Sequence, residues 1–402
     1  MTEAAKKGFL TRIESVRGLA ALCVAVGHTQ GFLLVENGKG LLDQTTVRDF
    51  VLRLLNGLFC NGETAVMVFF VISGVVIGRS LDVRQGSTTV ASDYIAFIIR
   101  RVFRLYPANI VTILGIILLA FLFLAAPSPI DFAAFPGTTP AIHHHVANLL
   151  NGELYKPLKW TSIISNLAMV NWSMNWVAWS LYIEVCAIPL LPLFHYLSRK
   201  YNLKLDLAIL VALTFLSWLL WEKVFWLRFM YIFYLGMIVE SHGLVVARAF
   251  ERLVGSRMAV LMLFLIMTFP NTFHSERFAW VVFAEAVSAF GIISLIVFSE
   301  QKKVPLAFRS LEHPILRWNG RLSYSFYLWH FIILTISIRA IYAMLPFETI
   351  NRFDLPLVAA TSIVTIAIAL GIAQLSYNYV ELPSIKLGRM VAAIWRRRTV
   401  TT

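Results

Sequence analysis

The sequence predicts an all-α polytopic membrane protein of about ten transmembrane helices, with both termini in the cytoplasm. Three observations carry this. Hydrophobic residues make up 58% of the 402 and charged residues only 14%, where a soluble chain carries about a quarter charged residues. The mean hydropathy is +0.73, and the apolar residues gather into runs near the length of about 20 residues that a bilayer core demands of a helix. Basic residues fall mainly on alternate connections between those runs. The balance excludes disorder, which needs low hydrophobicity and high charge. It argues equally against an outer-membrane barrel, whose strands alternate apolar and polar residues.

The runs lie at about 13–34, 58–78, 105–126, 177–198, 205–221, 225–243, 258–270, 279–298, 322–343 and 355–376. The first follows Lys6, Lys7 and Arg12, as a signal peptide would. At about 22 residues, however, it exceeds the apolar core of about 7–15 residues typical of a signal peptide, and is read as a retained first helix. The seventh is short and stops at Pro270, which predicts a broken helix or a locally thinned bilayer. Connection 79–104 is basic and cytoplasmic, with an amphipathic helix from about Asp93. Connection 127–176 is external and rich in Pro, Trp and Asn. Its apolar piece, Ser162 to Val170, is too short to span and is read as re-entrant or surface-lying. No internal repeat is visible, so one domain covers 1–402, with a core of about 12–383 and a basic cytoplasmic tail at 384–402.

The net charge of +13 would suggest a nucleic-acid partner in a soluble chain. Topology explains it instead. With the N-terminus in the cytoplasm, about 25 of the 35 basic residues fall on the cytoplasmic side, as the positive-inside rule requires. No nucleic acid is needed; the partners implied by the basic face are membrane lipids and anionic small molecules.

Polar and ionisable side chains inside apolar runs are costly and therefore point to function. Arg17 and His28 stand in RGLAALCVAVGH. Eleven residues bring them back to nearly one helix face, about 16 Å apart along the axis. A buried, neutral imidazole is the form a general base needs; the plainer reading is a histidine satisfied by helix packing. Arg101 and Arg104 in RRVFRLYP share a face at i and i+3, where their planar forks suit phosphate oxygens or lipid headgroups. Glu184 in WSLYIE sits within an apolar run and must be protonated or paired, with His28 or an arginine as partner. Ser323, Tyr327 and His330 in RLSYSFYLWH fall on one stripe, either lining a cavity or holding helices together. Glu63 and Glu285 receive no role.

Other features carry nothing. Cys23, Cys60 and Cys186 form neither a disulfide framework nor a metal spacing. His143, His144 and His145 have no partner ligands at zinc spacing, so no metal site is predicted. There is no phosphate-binding glycine loop and no Gly-x-Ser-x-Gly elbow.

Taken together, RIESVRGLAALCVAVGH, MVFFVISGVVIG, RRVFRLYP, WSLYIE, LSYSFYLWH and YNYVELP resemble the membrane acyltransferase family 3, the bacterial carbohydrate O-acyltransferases. The pieces occur in family order from residue 12 to 383. The family's Arg-x10-His pattern falls on Arg17 and His28, and its Arg-x-x-Arg pattern on Arg101 and Arg104. The resemblance implies a ten-helix core in the bacterial inner membrane, an acyl-CoA donor taken from the cytoplasm, acetyl first among the acyl groups, and a carbohydrate acceptor. Some relatives carry a fused extracytoplasmic SGNH domain; this chain resembles the stand-alone members. Joined to the residue reading, it implies donor phosphates on Arg17, Arg101 and Arg104 and His28 as the base. Glu184 would orient or charge-balance the imidazole, and Ser323, Tyr327 and His330 would line the acceptor side. The rival class is a transporter or flippase of a glycan or lipid-linked sugar. The missing repeat and the position of the basic cluster at the membrane entry favour the enzyme.

Overall fold

The computed structural model describes residues 3–33, 35–36, 39–40, 47–82, 90–124, 159–200, 202–273, 278–298 and 306–400. They are helical throughout except for turns and one two-residue antiparallel pair, Val35–Glu36 with Lys39–Gly40. In hydrocarbon every backbone polar group must be satisfied within the segment, which leaves the helix as the form for apolar runs of this length.

The helices are α1 (Glu3–Leu33), α2 (Val47–Phe59), α3 (Gly62–Asp82), α4 (Val90–Leu124), α5 (Trp160–Leu167), α6 (Trp179–Ala187), α7 (Leu191–Ser198) and α8 (Leu203–Leu219). They continue with α9 (Met230–Leu253), α10 (Ser256–Phe273), α11 (Ala279–Phe298), α12 (Leu306–Ser310), α13 (Pro314–Met344), α14 (Phe347–Arg352), α15 (Asp354–Ser376) and α16 (Leu382–Val400). Local chemistry sets several starts. The Asn61 side chain accepts from the amides of Glu63 and Thr64 and so opens α3. Asn202 does the same for α8. Pro314 occupies the first turn of α13, where a missing N–H costs nothing.

A described helix lies over each of the ten predicted runs. Among the described residues six stretches can cross a bilayer by length and composition: Phe50–Leu81, Asp93–Phe121, Phe225–Leu253, Ala279–Phe298, Pro314–Met344 and Asp354–Arg398. The predicted run 177–198 is not one helix. It is a 3-10 turn at Trp176–Ala178, then α6 and α7 bent by 61°, a pair that would make a seventh span. Pro189 explains the bend, because it lacks an N–H and its ring clashes with the carbonyl four residues back. That carbonyl, of Val185, is taken instead by the amide of Ile188. In α1, only the part beyond Arg17 is free of charge, and α8, at 17 residues, is short.

Connection 79–104 carries the expected helix from about Asp93: it starts at Val90 and continues unbroken into the third run as one 35-residue helix, α4, so Arg100, Arg101 and Arg104 stand mid-helix. The tail 384–402 is largely helical: α15 continues through one π-helical turn, Tyr377–Glu381, into α16, which packs along α4 and holds Asp93 with Arg396 at 2.5 Å. The seventh run is short as expected, its apolar part ending at Pro270, though it is not broken there, since α10 carries that proline internally and continues to Phe273. Most of the external connection, including His143, His144 and His145, lies outside the described residues; the short apolar piece within it is α5.

The core is built round α9, in which every residue from Met230 to Val239 is buried. Gly236 of α9 and Gly74 of α3 meet backbone to backbone, and a Cβ on either would collide with the other helix. The same device joins α1 to α13, where Gly18 rests on Asn319 and Gly320, and Gly320 rests on the Glu14 carbonyl. One helical length on, His28 meets His330. The offset in residue number is the same at both contacts, so α1 and α13 run parallel and side by side.

Candidate active site

The functional side chains fall into two groups along the α1–α13 pair. The first is an arginine cluster. Arg17 comes from α1, and Arg101 and Arg104 from α4. Arg101 is buried and its Nη1 lies 3.2 Å from Oε1 of Glu184, in the last full turn of α6 before the proline bend. The Arg101 guanidinium also stands over the Phe97 ring, 5.7 Å from its centroid. Arg17 and Arg104 lie within electrostatic reach of Arg101 and of Glu381, and Arg17 also of Glu184 and Glu14. Tyr324 of α13 ties the cluster to the central pair, donating its hydroxyl to the Leu105 carbonyl at 2.6 Å, one residue from Arg104.

The second group surrounds His28, which is half-buried on α1. Its ring stacks on His330 at 5.7 Å between centroids and meets Phe331 edge-on at 5.3 Å. His330 is fully buried. Its Nδ1 lies 3.3 Å from the Phe326 carbonyl, a contact that needs the proton on Nδ1. Nε2 is then left as an acceptor, and it has no hydrogen-bond partner among the described residues.

The predicted residues are thus only partly brought together. Arg17, Arg101 and Arg104 form one cluster, as expected. Glu184, for which His28 and an arginine are the two expected partners, takes the arginine Arg101, while the neighbours of His28 are His330 and Phe331. A carboxylate in an apolar helix needs a compensating cation, and Arg101 of α4 supplies it. The Ser323, Tyr327 and His330 stripe divides. The Tyr327 hydroxyl donates to the Val177 carbonyl and accepts from Ser180, each at 3.0 Å, so it fastens α13 to the turn before α6. Ser323 is buried and its hydroxyl has no hydrogen-bond partner among the described residues, and of the three it is His330 that reaches His28. Both side-chain polar atoms of buried Asn319, four residues before Ser323, are likewise unpartnered.

Sequence reasoning missed Glu381. It is 3% exposed, and its Oε2 accepts from the Ser325 hydroxyl at 3.0 Å. The signal is present in YNYVELP, a carboxylate directly after an apolar run and inside the predicted core of 12–383, but hydropathy ends the run at residue 376 and so gives no sign that Glu381 is buried. Of the two acids left without a role, Glu285 is fully buried in α11 and accepts from the Thr64 hydroxyl at 2.5 Å, whereas Glu63 is exposed. Among the described residues no group of three or more His, Cys, Asp or Glu side chains is arranged to hold a metal.

The Arg101–Glu184 pair makes a stability prediction. Arg101→Ala leaves a nearly buried carboxylate without its partner, which costs about 3–5 kcal/mol. Arg101→Leu combined with Glu184→Leu removes both charges and recovers most of that loss. Thermal unfolding in detergent of the two variants checks it, and equal destabilisation of both would refute it.

The family model described as an acyltransferase domain, acyltransferase family 3, matches residues 10–374. No curated protein and no solved structure matches the chain. The matched stretch runs from the start of α1 almost to the end of α15 and contains Arg17, His28, Arg101, Arg104, Glu184 and the polar face of α13. A multi-helix chain with this arrangement, matched over most of its length, belongs to the membrane acyltransferase family 3.

Proposed function

We propose that this acyltransferase moves an acyl group, acetyl first among the choices, from acyl-CoA to a hydroxyl of a cell-surface or exported carbohydrate. It would do so from a ten-span arrangement in a bacterial inner membrane, with both termini cytoplasmic. One observation carries the reading: Arg17, the α1 member of the arginine cluster, and the His28 imidazole stand on one face of α1, about 16 Å apart along its axis, beside the parallel helix α13. That spacing suits a donor with an anionic head and a reactive thioester at the far end of an extended arm. Arg17, Arg101 and Arg104 hold the phosphates through charge-assisted, two-pronged bonds. Glu184 keeps the Arg101 fork in place.

His28 acts as general base. It takes the proton from the acceptor hydroxyl as that oxygen attacks the thioester carbonyl carbon. The C–O bond forms, the C–S bond breaks, and the leaving thiolate takes the proton from the imidazole. His330 supports the ring from behind, its tautomer set by the Phe326 carbonyl.

The test uses purified full-length protein, radiolabelled acetyl-CoA and surface glycan from cells lacking the protein. Transfer of label to the glycan is expected. In Arg17→Gln and Arg104→Gln, acetyl-CoA binding is expected to weaken by about 10-fold or more each, the size of one lost charge-assisted contact. No transfer by the wild-type protein, or unchanged donor binding in both variants, would overturn the assignment.

A further inference from the structure

Glu381 has no part in the chemistry above, and it lies beyond the matched residues 10–374. The π-helical turn Tyr377–Glu381 carries it. Such a turn inserts an extra residue into the helical repeat and rotates everything that follows. The rotation buries Glu381 against α4 and α13. The Ser325 hydroxyl sits 3.0 Å from Oε2 and 3.2 Å from the Ser376 hydroxyl, so the carboxylate is held from the α13 side. Two turns further on, Gly388 rests directly on Phe103, the neighbour of Arg104, which fixes the height of this segment along α4. A carboxylate so buried needs compensating charge, and its cationic neighbours are Arg104 and Arg17.

The charge count then matters. Three guanidinium groups are set against Glu184 and Glu381, with Glu14 also acting on Arg17, so each carboxylate subtracts one charge from the cluster and leaves a smaller positive remainder. A thioester donor with several phosphate charges is gripped in proportion to that remainder. The spent thiol keeps every phosphate, so a site that gripped harder would hold the product equally hard. Tighter binding common to both states lowers KM without speeding turnover.

We propose that Glu381 is a built-in counter-anion that sets how tightly the arginine cluster holds an anionic thioester donor and releases its thiol product. The inference rests on the reading of that cluster as the donor site. Glu381 is a positioning residue that acts through Arg104 and Arg17. Ser325 keeps its carboxylate back from the space the phosphates occupy.

The experiment compares two donors that share the thioester arm: acetyl-CoA, and acetyl-pantetheine, which has no phosphate. Glu381→Gln is expected to lower the KM for acetyl-CoA and the inhibition constant of CoA on the order of tenfold, the effect of one charge removed from a partly screened site. The KM for acetyl-pantetheine is expected to stay at the wild-type value, and Glu381→Asp, which keeps the charge, to resemble the wild type with both donors. Ser325→Ala releases the carboxylate toward the arginines, and should shift the acetyl-CoA KM the opposite way. A shift of equal size with both donors, a raised acetyl-CoA KM in Glu381→Gln, or no donor-dependent shift in either the Gln or the Ser325 variant would overturn the proposal. A wild-type protein that uses neither donor would instead overturn the donor reading on which it rests.

Discussion

His28→Ala is expected to lower kcat for acyl transfer by about 10²–10⁴-fold, the usual contribution of a positioned general base, while acetyl-CoA binding stays at the wild-type level. The split follows from the geometry. Arg17 lies about 16 Å along α1 from the imidazole and Arg101 and Arg104 stand on a different helix, α4, so removing the ring leaves the arginines that hold the donor's anionic end untouched. His28 is half-buried, and its loss opens a space beside His330 and Phe331 without unpairing a charge. That space gives a second readout, since imidazole added to the buffer is expected to enter it and restore part of the rate. Steady-state kinetics with and without added imidazole, beside calorimetric donor binding, make the measurement. A variant with near wild-type kcat would remove His28 from the chemistry, and lost donor binding would mean that it works through structure.

Helix positions were legible because hydrocarbon permits a single local solution to an apolar run of sufficient length. The relations between helices were not. Nothing in the period of an apolar run says which neighbour it packs against, so Glu184 could be given a cation in general but not Arg101 in particular. The choice is made by the packing that sets Glu184 of α6 within 3.2 Å of Arg101 on α4, which is visible only once α4 is in place. Glu381 was hidden for a related reason. Hydropathy ends a span where polar residues begin, whereas the π turn continues the helix and turns that polar residue inward. The Arg17 and His28 pairing was readable because both lie on one helix, where spacing alone fixes the face. The partner stripe on α13 was readable as a stripe, but its division between Tyr327, fastened to the turn before α6, and His330, set against His28, depends on which helix lies on each side.

The same point makes Gly320 more sensitive than its chemistry suggests, and a pair of identical substitutions exposes it. At Gly371, in α15, an added Cβ meets nothing within 4 Å. Gly371→Ala therefore stabilises the helix by about 0.5–1 kcal/mol, because glycine loses more conformational freedom on folding than alanine does. At Gly320 the added Cβ would sit on the Glu14 carbonyl and press on the Ser15 amide. Those atoms are backbone, so no side-chain rotation relieves the contact and the helices must part. Overpacking of a buried site costs about 1–3 kcal/mol, and a backbone-to-backbone collision belongs at the upper end of that range. The functional loss is expected to exceed the stability loss. α1 and α13 are parallel and carry the donor arginine Arg17 and the imidazole pair on one rigid span, so separating them at Gly320 displaces His28 from His330, one helical length away. Gly320→Ala is thus expected to melt earlier and to lose most of its transfer activity even in the fraction that remains folded, whereas Gly371→Ala melts later with activity unchanged. Thermal unfolding in detergent, with transfer rates normalised to folded protein, separates the two. Equal behaviour of the two alanine variants would show that the Gly18 and Gly320 contact does not set the register of the site.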